Sequence, residues 1–403
     1  MLVVKKFGGT SVGDKERIFA CARKCVEEYM AGNDLIVVLS AMGKMTDDLI
    51  RRAENFNPDP PRREMDMLMT IGEQMSVSLF VMALDTMRIP AISLNAFQAG
   101  IHASSTYSNA RIRSIDEERI RHELEARKIV VVTGFQGVNK YGDYVTLGRG
   151  GSDTSAVALA ATFHADVCEI YTDVDGVYTS DPRIVKNARR LDEITYDEML
   201  EMASLGAGVL HNRSVEMAKK YGVKLVVKSS FHDAQGTAIV QRKKNVEKTI
   251  ISGVAVDKDT DRITVIGMRN EIGSEFHLFR LFAKENINID LIIQSVVDDF
   301  RKNVTFTVDH KELNAVLALL EDAKETLGFQ EVQYTTEMAK LSIVGSGIMT
   351  NPGVAAKMFE TLSNEGINIG MITTSEIRIT VLVKETDVVR AANAVHEAFN
   401  LAG

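Results

Sequence analysis

The sequence predicts an α/β protein in two parts, a mostly parallel sheet covered by helices on both faces and then a repeated βαββα unit. Three observations predict this. Short β-branched runs alternate with longer helical patterns as far as residue 228, the charged segment QRKKNVEK at 241–248 interrupts the apolar pattern, and two similar segments follow it. Helical stretches of this length are the crossovers that parallel strands need.

The strands predicted in the first part are compact and bounded by turn residues. They are Leu2–Lys6, Leu35–Leu39, Ala91–Leu94, Ile129–Thr133, Val167–Tyr171 and Lys224–Lys228. The helical patterns between them cover Asp14–Met30, Arg62–Met87, Ser114–Arg127, Asp153–His164 and Arg213–Tyr221.

The second part contains an internal repeat, whose copies begin at Ile263 and Leu341. Each copy runs strand, glycine, loop, glycine, amphipathic helix and Ile-Asn-Ile, and then continues through two strands and a second helix. The first copy closes with a strand at Glu331–Thr335, whereas the second has none, and Ile250–Val256 could supply it from before the first copy. The predicted domains are therefore 1–245, then 263–336, and then 250–258 interleaved with 341–403.

Composition excludes several classes of function. The 403 residues are 45% hydrophobic, and 47 Lys and Arg against 55 Asp and Glu give a net charge of −8, which argues against a nucleic-acid partner. Three cysteines cannot all pair with one another and no apolar leader precedes the first strand, so we expect a cytoplasmic protein. Apolar runs such as Ile129–Val132 are far shorter than the ~20 residues that cross a membrane, so none is expected to span one.

The first motif is a strand that runs into a glycine pair, Lys6-Phe7-Gly8-Gly9. Without Cβ atoms, the two glycines let backbone amides approach an anion, and Lys6 lies at the strand end where open α/β sheets bind ligands. The alternative is an ordinary tight turn. A Walker A loop is rejected because Asp14 separates Gly13 from Lys15.

The second motif, TLGRGGSDTS at 146–155, places three glycines before a helix. Free amides and the positive end of the helix dipole would attract an anion there, and Arg149 offers a planar fork for a carboxylate or phosphate. In the alternative interpretation, Ser152 or Asp153 is a plain N-cap.

The third motif is an acidic loop at 171–183, YTDVDGVYTSDPR, at a strand end. Its aspartates could flank a nucleotide or hold Mg²⁺ through water, or the loop could be a pair of β-turns. No cysteine or histidine cluster has zinc spacing, so no protein metal site is predicted. Further residues have structural interpretations: Cys21 and Cys25 as core thiols, His211 as a packing or capping residue, and Met65, Met67, Met69 and Met75 as core filling.

Together with SAMGKMTD at 40–47, EMDMLMTIGEQMS at 64–76 and GFQGVNK at 134–140, these motifs resemble the aspartokinase family in order and spacing. The resemblance covers essentially the whole chain and is closest to the bacterial type with paired C-terminal ACT domains and no fused homoserine dehydrogenase. It implies an amino-acid kinase fold followed by two ferredoxin-like βαββαβ ACT domains.

The resemblance also implies an activity. The family transfers the γ-phosphoryl group of ATP, with Mg²⁺, to the β-carboxylate of L-aspartate, giving 4-phospho-L-aspartate, the first step towards lysine, threonine and methionine. A carboxylate with a pKa near ~4 is already ionised at neutral pH, so no general base is required. Catalysis then needs alignment of two anions and neutralisation of their charge.

By resemblance, Lys6 stabilises the transferring phosphoryl group and Asp153 orients Lys6 and helps to hold the metal-nucleotide. Arg149 would bind the α-carboxylate of aspartate and Glu73 its ammonium group. The remaining substrate-lining positions are Ser40, Thr46 and Ser152, and the nucleotide positions are Lys6, Phe7, Gly8, Gly9, Thr172, Asp173, Tyr178, Asp181 and Arg183.

The ACT resemblance implies a homo-oligomer, expected to be a dimer, inhibited by lysine with or without threonine where ACT modules of two chains meet. The effector positions are Asn270, Gly273, Ile289, Gln294, Asn368, Ile369 and Thr374. Two residues depart from the family pattern. Gly208 replaces a lysine that approaches the ATP phosphates, for which Lys228 or Arg213 could compensate, and Ile272 replaces a proline before Gly273.

Two alternatives stay open at this stage. The same fold could phosphorylate glutamate, acetylglutamate, carbamate or UMP instead of aspartate. The protein could also be a catalytically silent amino-acid sensor, although Lys6, Arg149 and Asp153 argue against the loss of activity.

Overall fold

The structure is a computed structural model, which describes residues 1–205, 209–242 and 250–402. These residues form two compact units. The first contains residues 1–178, 190–204 and 209–242, and the second contains residues 179–189, 205 and 250–402. The predicted end of the first domain at 245 lies outside the described residues, and the predicted domain bounds stay a prediction.

The first unit alternates strands and helices, beginning with an N-terminal strand that ends at the Gly8–Gly9 pair. Its strands are β1 (Leu2–Phe7), β2 (Asp34–Leu39), β3 (Ala91–Leu94), β4 (Ile101–Ala103), β5 (Ile112–Ile115), β6 (Ile129–Thr133), β7 (Gln136–Val138), β8 (Tyr144–Thr146), β9 (Val167–Thr172), β10 (Glu193–Thr195), β11 (Leu225–Ser229) and β12 (Thr237–Val240). Its helices are α1 (Lys15–Met30), α2 (Met45–Phe56), α3 (Arg62–Met69), α4 (Ile71–Thr86), α5 (Glu118–Glu125), α6 (Gly151–Thr162), α7 (Tyr196–Ser204) and α8 (Asn212–Tyr221).

The main sheet has eight strands in the order β10-β12-β11-β9-β1-β2-β6-β3. Its neighbours pair in parallel, apart from β11 with β12. All six predicted strands are confirmed, and their ends differ from the prediction by no more than one residue. The prediction succeeded because these strands are buried on both faces and are therefore nearly continuous apolar runs.

Helices cover both faces of this sheet. Successive side chains of a strand point to opposite faces, and Lys5 contacts Glu28 of α1 whereas Lys6 contacts Asp153 of α6. The helices α1 and α6 therefore lie on opposite faces, as the sequence predicts.

Several elements were not predicted. The edge strand β10 and its neighbour β12 are short, and β5-β4-β7-β8 form a separate small sheet. The predicted helix over Ser114–Arg127 begins only at Glu118, because the chain before it forms β5. The predicted helix over Arg62–Met87 is interrupted at Thr70. Two helices were missed: α2, in which no residue is fully buried, and α7, which has nine residues.

The stretch Arg62–Thr86 is long and apolar enough, by length and composition alone, to cross a membrane, and half of its apolar window is buried inside the protein. Val77, Phe80 and Leu84 of this stretch pack in the core beneath α1, together with Cys21 and Cys25. The two cysteines are thus confirmed as core thiols. The prediction that Met67 fills the core is wrong, because this residue is 54% exposed.

The second unit is a six-stranded antiparallel sheet with helices. Its strands are β13 (Gly253–Arg269), β14 (Ile292–Val296), β15 (Arg301–Val308), β16 (Glu331–Val344), β17 (Met371–Thr374) and β18 (Arg378–Lys384), and its helices are α9 (Ser274–Lys284), α10 (Leu313–Leu327), α11 (Val354–Asn364) and α12 (Glu385–Ala398). The strand order is β14-β15-β13-β16-β18-β17.

The two long central strands each serve both repeats. Arg262–Ile266 of β13 pair with Glu331–Thr335 of β16, and Gly253–Asp257 pair with Lys340–Val344. Each repeat packs its helices against its own half of the sheet, giving two apolar cores within one continuous sheet.

A short segment that follows the acidic loop, Thr179–Arg189, belongs to the second unit. Val185 of this segment lies in the core of the second repeat. The Thr179 hydroxyl accepts a hydrogen bond from the Arg189 N–H at 2.9 Å and lies 2.8 Å from Nε2 of His396 in α12. The segment is therefore held by side-chain packing and by hydrogen bonds.

Candidate active site

The first unit has its polar site at the edge where the parallel strands end. The Gly8 N–H donates to the Tyr171 carbonyl at 3.3 Å, and the Ser230 N–H donates to the Thr172 carbonyl at 2.8 Å. The Ser11 and Ser230 hydroxyls lie 2.5 Å apart. The ends of β1, β9 and β11 are thus tied together at the edge that binds ligands in open α/β sheets.

Lys6 forms an ion pair with Asp153 at this edge. Nζ of Lys6 lies 2.6 Å from Oδ1 of Asp153, and each side chain is only about a tenth exposed. An ammonium group has three N–H donors, and one close carboxylate oxygen does not use them all. The ammonium group therefore keeps N–H groups for another acceptor.

Asp153 lies in the first turn of α6, whose N-cap is Gly150 in the left-handed conformation without a side-chain cap. The alternative interpretation of Ser152 or Asp153 as an N-cap is therefore wrong. Gly150 is required by close packing as well, because a Cβ there would lie 2.1 Å from Cβ of His211. His211 itself caps α8 by accepting from the Arg213 N–H at 3.4 Å, which confirms it as a capping residue.

Gly9 packs against the loop that follows β2. Its carbonyl accepts from the Gly43 N–H at 3.0 Å, and a Cβ on Gly9 would lie 2.7 Å from the Ala41 carbonyl oxygen. Gly9 opens a short 3₁₀ helix, Gly9–Val12, whose first N–H groups have no partner inside the helix. Its amide is therefore suited to an anion at this edge.

Glu73 lies in the first turn of α4 and is almost fully buried. Its Oε1 accepts from the Ala41 N–H at 3.1 Å, whereas its Oε2 has no hydrogen-bond partner in the described part of the chain. Burial raises the pKa of this carboxyl to about 7, against the opposing effect of the Glu73 and Ala41 N–H groups. A buried oxygen without a partner is costly, so Glu73 suits a cationic group of a ligand.

The other predicted substrate positions surround these contacts. Ser152 is buried beside Gly134, and a Cβ added to Gly134 would lie 2.7 Å from Oγ of Ser152. Ser40 lies in the loop after β2 and Thr46 lies in the first turn of α2, and both are partly exposed. Arg149 is exposed, between two glycines that precede α6.

Two of the predicted nucleotide positions, Phe7 and Gly8, have few groups free to contact a nucleotide. The Phe7 side chain is fully buried and stacks on Tyr171 with ring centroids 4.8 Å apart, so it has no surface for a nucleotide. The Gly8 amide already donates to Tyr171, which leaves Gly9 as the better anion donor of the pair.

The predicted nucleotide segment is divided between the units. Thr172 and Asp173 lie at the end of β9, and the threonine hydroxyl donates to Oδ1 of Asp173 at 3.1 Å. Tyr178 forms an isolated β-bridge with Arg190 in the same unit. Asp181 and Arg183 lie in the second unit, where they pair at 2.7 Å and the arginine lowers the pKa of Asp181.

The predicted effector positions form two sets in the second unit. Asn270 and Gly273 precede α9, and Ile289 and Gln294 lie before and within β14. The second set is Asn368, Ile369 and Thr374, next to or within β17. The strands β14 and β17 are opposite edges of the sheet, so one chain does not bring the two sets together. The departing residue Ile272 has a fully exposed side chain.

Both suggested replacements for the family lysine have partners within the described part of the protein. Gly208 lies outside the described residues. Lys228 pairs with Glu169 at 2.5 Å on the face that Lys5 occupies, opposite to Lys6. Arg213 donates to the backbone carbonyls of Leu147 and Ala110. Compensation by Lys228 or Arg213 therefore stays a prediction.

Sequence reasoning missed Asp66, Ser11 and Ser230, and it named Arg213 only as a possible replacement for the family lysine at position 208. The serine pair follows predicted strand ends, and its position was a signal that could have been used. Asp66 and Arg213 carried no local signal, because their partners lie some 40 to 100 residues away in the chain. Across 1–205, 209–242 and 250–402, no group of three or more histidine, cysteine or acidic side chains could hold a metal.

Family models match most of the chain. Residues 1–229 match the amino acid kinase family, and residues 262–325 and 341–399 match ACT domains. These matches confirm the predicted fold class of an amino-acid kinase fold followed by two ACT domains.

Relatives of established name are similar over the full length. The chain is 49% identical over 402 residues to an aspartokinase of Bacillus sp. strain MGA3, with coverage of 100% of this chain and 98% of the relative. Aspartokinase III of Escherichia coli, solved with aspartate and ADP in the R-state, is 27% identical with a TM-score of 0.83 over 99% of both chains. The same enzyme solved with lysine and aspartate in the T-state is 26% identical with a TM-score of 0.77, again over 99% of both chains.

The close approach at Gly9 gives a testable prediction. Gly9→Ala should lower the free energy of unfolding by about 1–3 kcal/mol, because the new methyl group overlaps the backbone of Ala41. Gly13→Ala is the matched control, since its φ is −67° and the nearest atom to its Cβ would be 3.5 Å away. Urea unfolding followed by circular dichroism measures both, and equal stabilities for the two variants would contradict the packing described for Gly9.

Proposed function

The chain belongs to the aspartokinases of the amino acid kinase family, and on that premise we propose that it transfers the γ-phosphoryl group of ATP to the β-carboxylate of L-aspartate, giving 4-phospho-L-aspartate. Membership makes it an ATP-dependent kinase that acts on a carboxyl group of aspartate. The product, the metal and the residue roles below are the content of the proposal.

The observation that carries the proposal is the Lys6–Asp153 ion pair at the carboxyl edge of the sheet, close to Gly8. The reaction brings a carboxylate to a triphosphate, and both are anions, so a fixed positive charge between them is the main requirement. Lys6 provides that charge, and Asp153 holds its ammonium group at 2.6 Å. The Gly9 amide and the N-terminal end of α6 add fixed backbone N–H donors and a positive dipole for the phosphoryl group.

Aspartate is oriented by its two non-reacting groups. Arg149 binds the α-carboxylate through its planar fork. Glu73 binds the ammonium group, which satisfies the buried oxygen that has no partner in the described protein. Ser40, Thr46 and Ser152 line the same part of the unit, and the β-carboxylate is left to face Lys6.

Nucleotide binding is assigned to the end of β9. Thr172, Asp173 and Tyr178 follow the strand next to β1, beside the phosphate-binding glycines. Mg²⁺ would enter on ATP, because it is commonly bound by one or two carboxylates together with substrate phosphates. Asp153 and Asp173 are the carboxylates suited to hold it, and the ion would neutralise charge on the phosphates.

Regulation is assigned to the second unit. Lysine, with or without threonine, would bind at the ACT modules of a homodimer and inhibit the enzyme, as a feedback signal from the biosynthetic pathways that consume the product. The solved relative with lysine and aspartate supports this assignment. The two predicted effector sets lie at opposite sheet edges, which agrees with sites completed by a second chain.

Purified protein with Mg·ATP and L-aspartate should form an acyl phosphate, detected as the hydroxamate after hydroxylamine is added. Lys6→Met should lower kcat by about 10³-fold or more, because the lost charge acts mainly in the transition state. Lys15→Met, which removes an exposed lysine nearby, should behave as the parent. An unaffected kcat in Lys6→Met would overturn the role of Lys6, and no turnover in the parent would favour the silent sensor.

The raised pKa of Glu73, about 7, predicts a pH dependence for aspartate binding. As the pH falls below 7 the free enzyme takes up a proton at Glu73, which the substrate ammonium must displace, so KM for aspartate should rise towards about tenfold per pH unit. Glu73→Gln should raise KM at pH 8 and remove most of this dependence.

Steady-state KM values for aspartate from pH 5.5 to 8.5 test this prediction, with ATP saturating. Glu118→Gln, which neutralises an exposed glutamate of α5, is the matched control and should keep the parental profile. A Glu73→Gln profile that still follows the parent would place the titrating group elsewhere.

Inhibition by amino acids tests the regulatory assignment. Lysine should lower the kinase activity at limiting aspartate. The assay compares lysine, threonine and methionine, each alone and in pairs. Gln294→Ala should raise the lysine concentration for half-inhibition at least fivefold, whereas Gln333→Ala, on the exposed part of β16, should not. Full activity with every amino acid and pair would refute the assignment.

A further inference from the structure

The orientation of Arg149 is not fixed by contacts of its own. Its side chain is exposed and has no hydrogen bond or ion pair with residues 1–205, 209–242 and 250–402. Its neighbours Gly148 and Gly150 have φ values of 77° and 66°, which are conformations that glycine adopts freely. The residues that anchor the chain on either side must therefore set where the guanidinium lies.

One anchor is Asp66 of α3, whose side chain is completely buried. Its carboxylate accepts from the Thr146 N–H at 2.9 Å and hydroxyl at 2.8 Å, and from the Ser108 N–H at 2.8 Å and hydroxyl at 3.3 Å. Four donors satisfy this buried charge. Asp66 therefore joins the end of β8 to the loop that contains Ser108.

The second anchor is Arg213 of α8. Its guanidinium donates to the Leu147 carbonyl, to the Ala110 carbonyl at 2.9 Å and to Oδ1 of Asn109 at 3.2 Å. Gly148 packs on the same loop, because a Cβ there would lie 3.1 Å from the Ser108 carbonyl oxygen. Arg213 thus fixes Leu147, two positions before Arg149, while Asp66 fixes the preceding residue, Thr146.

We propose that Arg213 is a positioning residue for substrate recognition, which sets the place of the Arg149 guanidinium by clamping Leu147 to the 109–110 segment. The inference rests on the proposed function of Arg149 in binding the α-carboxylate of aspartate. A guanidinium is needed because three acceptors are bound by one rigid planar fork, which a lysine ammonium does not reproduce. Asp66 holds the end of β8 independently of Arg213. Loss of the Arg213 guanidinium should therefore affect the recognition of aspartate more than folding.

Arg213→Lys should raise KM for aspartate by about tenfold or more, leave kcat within threefold of the parent and leave KM for ATP within twofold. Lys219→Gln is the control on the same helix, since it removes a cation that pairs with Asp197 at the surface. Asn109→Ala removes one acceptor of the same guanidinium and should raise KM for aspartate two- to fivefold, which keeps the proposal testable if the lysine variant does not fold.

A double-mutant cycle with Arg149→Ala provides the decisive test. If Arg213 acts through Arg149, then Arg213→Lys should change KM for aspartate less than twofold in the Arg149→Ala background. An equal change in both backgrounds, or a parental KM in Arg213→Lys alone, would overturn the inference. A parental KM in Arg149→Ala would instead refute the proposed role of Arg149 itself, so the two failures are distinguishable.

Discussion

The ion pair between Lys6 and Asp153 is the contact on which the proposed chemistry depends. A carboxylate and a triphosphate repel each other, and their approach requires a positive charge that does not move away as they meet. Lys6 is fixed at the end of a central strand, and Asp153 is fixed in the first turn of a buried helix on one face of that strand. The sheet and the helix thus place the two charges before any substrate arrives, which reduces the reorganisation that the reaction needs.

Close backbone packing supports this arrangement. Gly9 touches the loop after β2, Glu73 hydrogen-bonds the same loop, and Gly150 touches the cap of α8. The Glu73 contact joins the loop after β2 to α4, and the Gly150 contact joins the segment before α6 to α8. The exposed Arg149 is the exception, because its place depends on anchors in neighbouring segments. In the proposed function, recognition of aspartate and stabilisation of the phosphoryl group would therefore rely on different parts of the same unit.

Much of the fold could be predicted from sequence because the central strands are buried apolar runs and the C-terminal repeat is visible by eye. The motifs that contain Lys6 and Asp153 were found because glycines mark them, one at a strand end and one at the start of a helix. The anchoring contacts of Asp66 and Arg213 could not be found, because each bonds to residues that are distant in sequence and no local pattern encodes such contacts. The small sheet was missed because its three- and four-residue strands are too short to show a period.

The acidic loop shows that chain order and structural unit need not coincide, since Tyr178 belongs to the first unit and Thr179 to the second. The central claim, however, concerns the first unit alone. Single-turnover rates for Lys6→Met, Asp153→Asn and the double variant test it most directly. If Asp153 acts by holding Lys6, the double variant should react about as fast as Lys6→Met, with the two losses far from additive. Fully additive losses would show that the two residues act independently and would contradict the account.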